Sequence, residues 1–297
     1  MAELKRTLGV GQCIFFGVGS ILGAGIYTVA GKVAGWSGNL IWLSFLLASV
    51  TALFTAFSYA ELSAAFPKAG GEYEYTKRAF GKKAGLITGT IISMNGIISG
   101  ATVAVGFAGY FAELLPTPTL LAAIGIIALI FLINVSGIRQ SSTINIIFTI
   151  IEAAGLFLVI YSAFSNPRNI DYFEPSEKGM NGFFAGAALA FYAFIGFEEI
   201  VKLAEETKNP EKNIPKALFS ASIIVLIMYS VVTLAAITAI PPQQLAASDS
   251  PLADIVSNQY GRTGALIISI IALFSTSNTI LSNMMGSSRV LLNLGKE

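Results

Sequence analysis

Three groups of residues in this chain could do chemistry. Four glycines crowd the run Gly17-Val18-Gly19-Ser20-Ile21-Leu22-Gly23-Ala24-Gly25-Ile26-Tyr27. A glycine and two acids follow one another in Phe191-Tyr192-Ala193-Phe194-Ile195-Gly196-Phe197-Glu198-Glu199. Glu152 is the lone charge in an apolar stretch from Gln140 to Pro167. Glycine runs bare backbone N–H and C=O groups, and isolated acids take up cations or protons, so these sets suit binding better than covalent catalysis. The chain has no histidine, which removes the usual general base and the commonest metal ligand. Its single cysteine, Cys13, excludes an internal disulfide framework and a cysteine-cluster metal site. No cofactor, no metal ion and no enzymatic activity are therefore expected. The net charge of +1 gives nothing that would attract nucleic acid.

The elements that must position these residues are long and apolar. Of the 297 residues, 54% are hydrophobic and 12% charged, and the mean hydropathy is +0.72. A soluble domain carries roughly 25% charge, so an integral membrane protein is expected. A bilayer core needs about 20 apolar residues per helix. Stretches without acid or base run over residues 7–31, 33–60, 84–112, 114–138, 179–197, 217–248 and 263–288, and the Glu152 stretch adds an eighth helix. Strict alternation over about ten residues, the mark of barrel strands, is missing. Basic residues set the orientation. With the amino terminus on the cytoplasmic side, that side collects Lys5, Arg6, Lys68, Lys77, Arg78, Lys82, Lys83, Arg139, Lys202, Lys208, Lys212, Lys216, Arg289 and Lys296, while the outer side holds Arg168, Lys178 and Arg262. Lys32 snorkels from the first span. A multi-pass protein of the cell (plasma) membrane follows, with one transmembrane domain over residues 1–297.

The glycine run and the Gly196 run fall near the middle of the first and sixth helices. Small residues also let membrane helices pack closely, but that explains the acidic pair poorly. Unpaired backbone groups in hydrocarbon cost several kcal/mol each, so a broken helix survives only beside protein or a water-filled cavity. Interruptions at matching places in two halves point to an inverted-repeat transporter with its site at the midplane. Residues 8–165 make the first five-helix repeat, and residues 180–297 supply helices six to eight of the second, about two short of five.

Further motifs make the pattern specific. Gly23-Ala24-Gly25-Ile26-Tyr27 resembles the Gly-x-Gly-Ile-aromatic break in the first helix of amino acid permeases of the amino acid–polyamine–organocation superfamily. Tyr59-Ala60-Glu61-Leu62-Ser63, with Phe66-Pro67-Lys68-Ala69-Gly70-Gly71-Glu72-Tyr73 and Arg78-Ala79-Phe80-Gly81, is similar to their loop between helices two and three. Glu205-Glu206-Thr207-Lys208-Asn209-Pro210 and Asn213-Ile214-Pro215-Lys216-Ala217 resemble the segment after their sixth helix, and Ser288-Arg289 the end of their eighth. The resemblance implies an all-α helical bundle of the five-plus-five inverted-repeat type with discontinuous helices one and six. It also implies secondary transport of amino acids by alternating access. The chain departs from the pattern in stopping after its eighth helix, which reads as a truncated second repeat. It also departs in carrying Glu152 where many relatives have lysine.

An amino acid offers a carboxylate and an ammonium, and a helix break offers both complements. The amino end of the half-helix near Gly25 presents N–H groups and partial positive charge, so Gly23, Ala24, Gly25 and Ile26, with the Ser20 hydroxyl, are expected to hold the carboxylate. The carboxyl end near Gly196 presents carbonyls, so Ala193, Phe194 and Gly196 are expected to hold the ammonium. Phe197 is preferred over Tyr192 as an aromatic gate. Glu152 lies thirteen residues past Arg139, roughly 20 Å along a helix rising about 1.5 Å per residue. A charged acid at that depth costs about 2.5–3.5 kcal/mol, so Glu152 must be protonated or paired. Proton coupling through Glu152 and Glu198 is expected. The alternative is sodium, on the hydroxyl-rich run Ser275-Thr276-Ser277-Asn278-Thr279. Neighbours on a helix diverge by about 100°, so only one of Glu198 and Glu199 should face a cavity fully. Glu205 and Glu206 read as a solvated edge paired with Lys202 or Lys208. A non-transporting subunit or an amino acid sensor that keeps a degenerate site is the competing function.

Overall fold

The computed structural model describes residues 5–165, 167–248 and 250–295, and leaves the side chains of Ala24 and Glu113 undescribed. Ten α-helices follow in order among these residues: α1 Val10–Ser37, α2 Ile41–Ala65, α3 Glu72–Phe80, α4 Lys82–Leu114, α5 Thr119–Val135, α6 Ile138–Ser165, α7 Gly179–Phe191, α8 Pro210–Ala239, α9 Pro242–Ala247 and α10 Pro251–Gly295. Between α7 and α8 the chain runs through short 3-10 turns over Tyr192–Phe194, Phe197–Glu199 and Val201–Glu206. This is the all-α bundle that the hydropathy demands. Six described helical segments are long and apolar enough to cross a membrane, and the bent pair Val10–Gly23 and Gly25–Ser37 makes a seventh. The remaining expected span, Thr119–Val135, has 17 residues, at the short end of what a bilayer admits.

Two elements differ from what the charge-free stretches suggest. The nine-residue α3 is polar overall, so a search for apolar runs passes over it, yet it buries Tyr73, Glu74 and Tyr75. Glu74 and Arg78, one turn apart, close its surface at 2.8 Å. The last span extends over Pro251–Gly295, well past residues 263–288, with a non-helical Gly261 near its start. The chain bends at Gly261, beside Arg262, and runs on through Arg289, a charge that ends the apolar run without ending the helix.

α1 is the centre of the bundle, packed against α6, α7, α8, α9 and α10, while α2 lies along α8 and α4 along α10. Behind the bend in α1 sits an aromatic cluster. Phe45 and Phe194 each meet the Tyr229 ring edge-on, with centroids 5.9 and 5.1 Å away. The Tyr229 hydroxyl reaches the carbonyl oxygens of Ile21 and Leu22 at 2.8 and 2.9 Å. Those carbonyls immediately precede the bend, where the regular ladder ends, and a buried carbonyl without a donor is costly. Tyr229→Phe keeps the ring and removes this donor. The expected result is a loss of about 1–3 kcal/mol, read as a lower midpoint of thermal unfolding in detergent.

Candidate functional site

The first helix changes direction by 44° between Val10–Gly23 and Gly25–Ser37, and Gly23 has φ 14° and ψ −160°. The other irregular segment begins where α7 stops at Phe191. It passes through Gly196, whose φ of 129° belongs to the region that glycine alone enters cheaply. The two segments lie against each other. A Cβ on Gly25 would come within 3.0 Å of the Ala193 Cα, and one on Gly196 would meet the Ser20 carbonyl group, 2.7 Å from its carbon. Backbone meets backbone at both places; Gly196 admits no side chain, and a methyl group at Gly25 would require Ala193 to give by a few tenths of an ångström. Local bonds quiet the loose ends. The Thr28 hydroxyl donates to the Gly25 carbonyl at 3.1 Å, the Ser20 hydroxyl to the Ser282 hydroxyl at 2.9 Å, and the Gly196 N–H to a Glu198 carboxylate oxygen at 2.7 Å.

A cavity of about 640 Å³ opens beside this contact, within the few-hundred to 1,000 Å³ range of small-molecule sites. Ser20, Gly23, Gly25, Ala193, Gly196 and Glu198 line it, and Asn95, Ser99, Thr102 and Asn283 form a neutral polar wall from α4 and α10. The structure thus brings together six of the residues singled out from sequence. Ile26 is fully buried and Phe194 packs into the Phe45–Tyr229 cluster, so their side chains stand away from the cavity. The side chain of Ala24 lies outside the described residues. Phe197 is 6% exposed and packs edge-on against Tyr59 with centroids 5.5 Å apart. Tyr192, 59% exposed, lines the cavity.

Glu152 is fully buried on α6, behind α1. Asn278 of α10 donates to its Oε2 and to the Thr149 hydroxyl, both at 3.2 Å, and accepts from Asn145 at 2.7 Å. A Cβ at Gly19 would run into Thr149 and Asn278, so this polar knot fits against the outer face of the glycine run. Thr276, Ser277 and Thr279 donate to their own helix at Ala272, Leu273 and Ser275, which spends their protons on backbone. Among the described residues, no three of His, Cys, Asp and Glu are grouped to hold a metal ion.

A charged cluster closes the end of the cavity next to α3. Glu72, Glu198, Glu199 and Lys202 all line it. Lys202, 3% exposed, pairs with Glu199, and the Tyr59 hydroxyl donates to Glu72 at 3.2 Å. Burial pushes the Glu72 carboxyl above its ordinary value, with the Lys202 ammonium opposing and Glu198 adding to the rise. Both Glu198 and Glu199 line the cavity, where only one was expected to face it fully. Two expectations are corrected here. Glu206 is buried and held by Arg289 through two bonds of 2.7 and 3.0 Å, so it is no solvated edge. Lys202 serves Glu199 rather than Glu205 or Glu206. Glu72 was legible only as part of a loop motif, since nothing in the local sequence says which helix α3 will face.

A family model described as amino acid permease matches residues 8–297. The chain is 30% identical to the branched-chain amino acid permease BcaP of Bacillus subtilis, covering 99% of this chain and 68% of that one. It is also 30% identical to a chloroplastic cationic amino acid transporter of Arabidopsis thaliana, over 99% of this chain and 56% of the relative. A methylthioribose transporter of Bacillus subtilis is 28% identical, with 99% and 68% covered. The chain therefore spans about two thirds of the bacterial relatives and little more than half of the plant one.

Gly196→Ala tests the backbone contact on which the cavity wall rests. Its methyl group would press on the Ser20 carbonyl at a φ that L-residues avoid, so a loss of roughly 1–3 kcal/mol is expected. The measurement is thermal unfolding of the purified variant beside wild type.

Proposed function

This chain belongs to the amino acid permease family, and on that premise we propose that it moves amino acids across the cell membrane by alternating access, as a permease and not an enzyme. The observation that carries the reading is the pair of close backbone approaches, Gly25 on Ala193 and Gly196 on Ser20, beside one cavity of about 640 Å³. Two interrupted segments meeting at a cavity give a zwitterion both complements at once. The N–H groups of Gly23, Ala24, Gly25 and Ile26 take the carboxylate, aided by the Ser20 hydroxyl and the positive end of Gly25–Ser37. The carbonyls of Ala193, Phe194 and Gly196, at the carboxyl end of the α7 segment, take the ammonium. This assignment asks only backbone of Ile26 and Phe194, so their buried side chains do not stand against it. Of the two candidate gates, Tyr192 is the one beside the cavity in this conformation, and Phe197 reaches it only by leaving Tyr59.

Proton coupling is the proposed energy source. Glu152 sits behind the first helix, tied through Asn278 and Thr149 to the face of the glycine run. An ionised acid buried there among neutral partners is costly, so loading and unloading a proton biases how α1 packs on α6 and α10. Glu198, bonded to the Gly196 N–H, senses the other segment. The amino terminus is proposed to be cytoplasmic, on the basic-residue bias.

The decisive experiment is uptake into liposomes with imposed gradients. Accumulation driven by a proton gradient supports the reading, accumulation that needs sodium assigns the coupling to sodium, and binding without uptake favours a sensor or a non-transporting subunit. Gly25→Leu should abolish amino acid binding while the protein still inserts into the membrane, and unchanged affinity removes the site assignment. Glu152→Gln should flatten the pH dependence of accumulation, and a variant that keeps it in full removes Glu152 from the coupling.

A further inference from the structure

At the α3 end of the cavity, acids outnumber the cation among them. Glu72, Glu198 and Glu199 face one ammonium, Lys202. The bonds are quickly used up. Lys202 is taken by Glu199 Oε1, the Gly196 N–H by Glu198 Oε2, and the Tyr59 hydroxyl by Glu72 Oε1. Glu72 Oε2 and Glu199 Oε2 remain buried with no donor. Glu199 is 7% exposed, and its free oxygen projects into the room that Gly286 of α10 leaves. The surroundings do not restore the balance. Tyr59 of α2 and Tyr75 of α3 are the tyrosines within electrostatic reach of Glu72, and the nearby cation of α10, Arg289, is held by Glu206. Two orphaned carboxylate oxygens beside one engaged ammonium leave surplus negative charge on buried atoms. A low-dielectric site sheds such a surplus by binding a cation, and the smallest is a proton.

We propose that Glu72 and Glu199 together hold one proton inside the cavity beside Lys202, forming a proton-binding centre separate from Glu152. Its role in transport rests on the permease reading above; its existence does not. With the proton bound, Lys202 is committed to one carboxylate. With it gone, the ammonium is shared between Glu199 and Glu72, and Val201–Glu206 is drawn toward α3. The proton comes from water in the cavity and returns there. The raised Glu72 carboxyl agrees with this.

Infrared difference spectroscopy of the purified full chain, titrated through acid and neutral pH without substrate, reads the carbonyl stretch of protonated carboxylic acids. One titrating component should vanish in Glu72→Gln. It should move to lower pH by about one unit or more in Glu199→Gln, where Lys202 is free to pair with Glu72, and to higher pH by a similar amount in Lys202→Met; one unit is a tenfold change in proton affinity. Glu152→Gln should leave it in place. The three substitutions act on one signal with different signs, so a variant that fails to fold leaves the others to decide. A component unmoved by every folded variant among them overturns the proposal. Melting temperature supplies a second reading. A carboxyl raised in the folded state holds a proton that the unfolded chain has already released, so its stability contribution is present at low pH and lost as pH rises through the folded value. Wild type should therefore fall relative to Glu72→Gln as pH rises, and a wild type that stays level or gains overturns the proposal. Neither measurement involves an amino acid, so failure here leaves the transport reading standing, and absent amino acid binding sinks that reading alone.

Discussion

The cavity wall depends on two backbones touching beside the bend in α1 and the 3-10 turns that follow α7. At Gly25 against Ala193, and at Gly196 against Ser20, no side chain intervenes. A side chain at Gly196 would press the segments apart, and one at Gly25 would crowd Ala193. The contact also explains why both irregularities lie where they do along the chain. A break in one helix alone would expose polar groups to apolar neighbours, whereas two breaks side by side share one polar environment. Apolar solvent forbids loose backbone unless protein or a wet cavity satisfies it. The neighbouring side chains do much of that work. Tyr229 serves Ile21 and Leu22, Thr28 serves Gly25, and Glu198 serves Gly196.

Buried charge follows the same economy at three depths. Glu152 is given the Asn278 amide as donor and, among the described residues, no cation. Glu199 is given Lys202, three residues on in the following 3-10 segment. Glu206 is given the two-pronged grip of Arg289 from α10. The last arrangement satisfies both partners and fastens the segment before α8 to the far end of α10. The first two leave oxygens without donors, which is costly in a purely structural contact and useful where a proton must come and go. Thr7 and Leu8 add their N–H groups to the Glu206 carbonyl, and Lys208 returns a bond to Leu8. The start of the first span is therefore held by the same short stretch that ends the broken one.

Membership of the amino acid permease family and the geometry meet at the glycines. The matched region runs over residues 8–297 and includes both irregular segments and the charged cluster between α3 and α10. The neutral wall of Asn95, Ser99, Thr102 and Asn283 faces the backbone wall across the cavity, with Asn283 donating to Ser99 at 3.1 Å. The cavity thus has backbone on one side and neutral polar side chains on the other.

Much of the bundle was legible in the residues themselves, because hydropathy is a local property and a bilayer sets the length of a span. Charge-free stretches located the long helices, and glycine runs located Gly23, Gly25 and Gly196, since only a missing side chain allows close approach. Which side chains end in the cavity was not legible. Phe194 and Phe197 flank Gly196 within two residues, but one packs on Tyr229 and the other on Tyr59. Glu72 and Lys202 lie 130 positions apart, and only the packing of α3 against the segment after Gly196 puts them at one end of one cavity. Glu206 looked like solvent-facing charge because its partner, Arg289, belongs to the last helix. Local sequence fixes what each segment can be; which distant partner satisfies a buried charge is decided only when the segments pack.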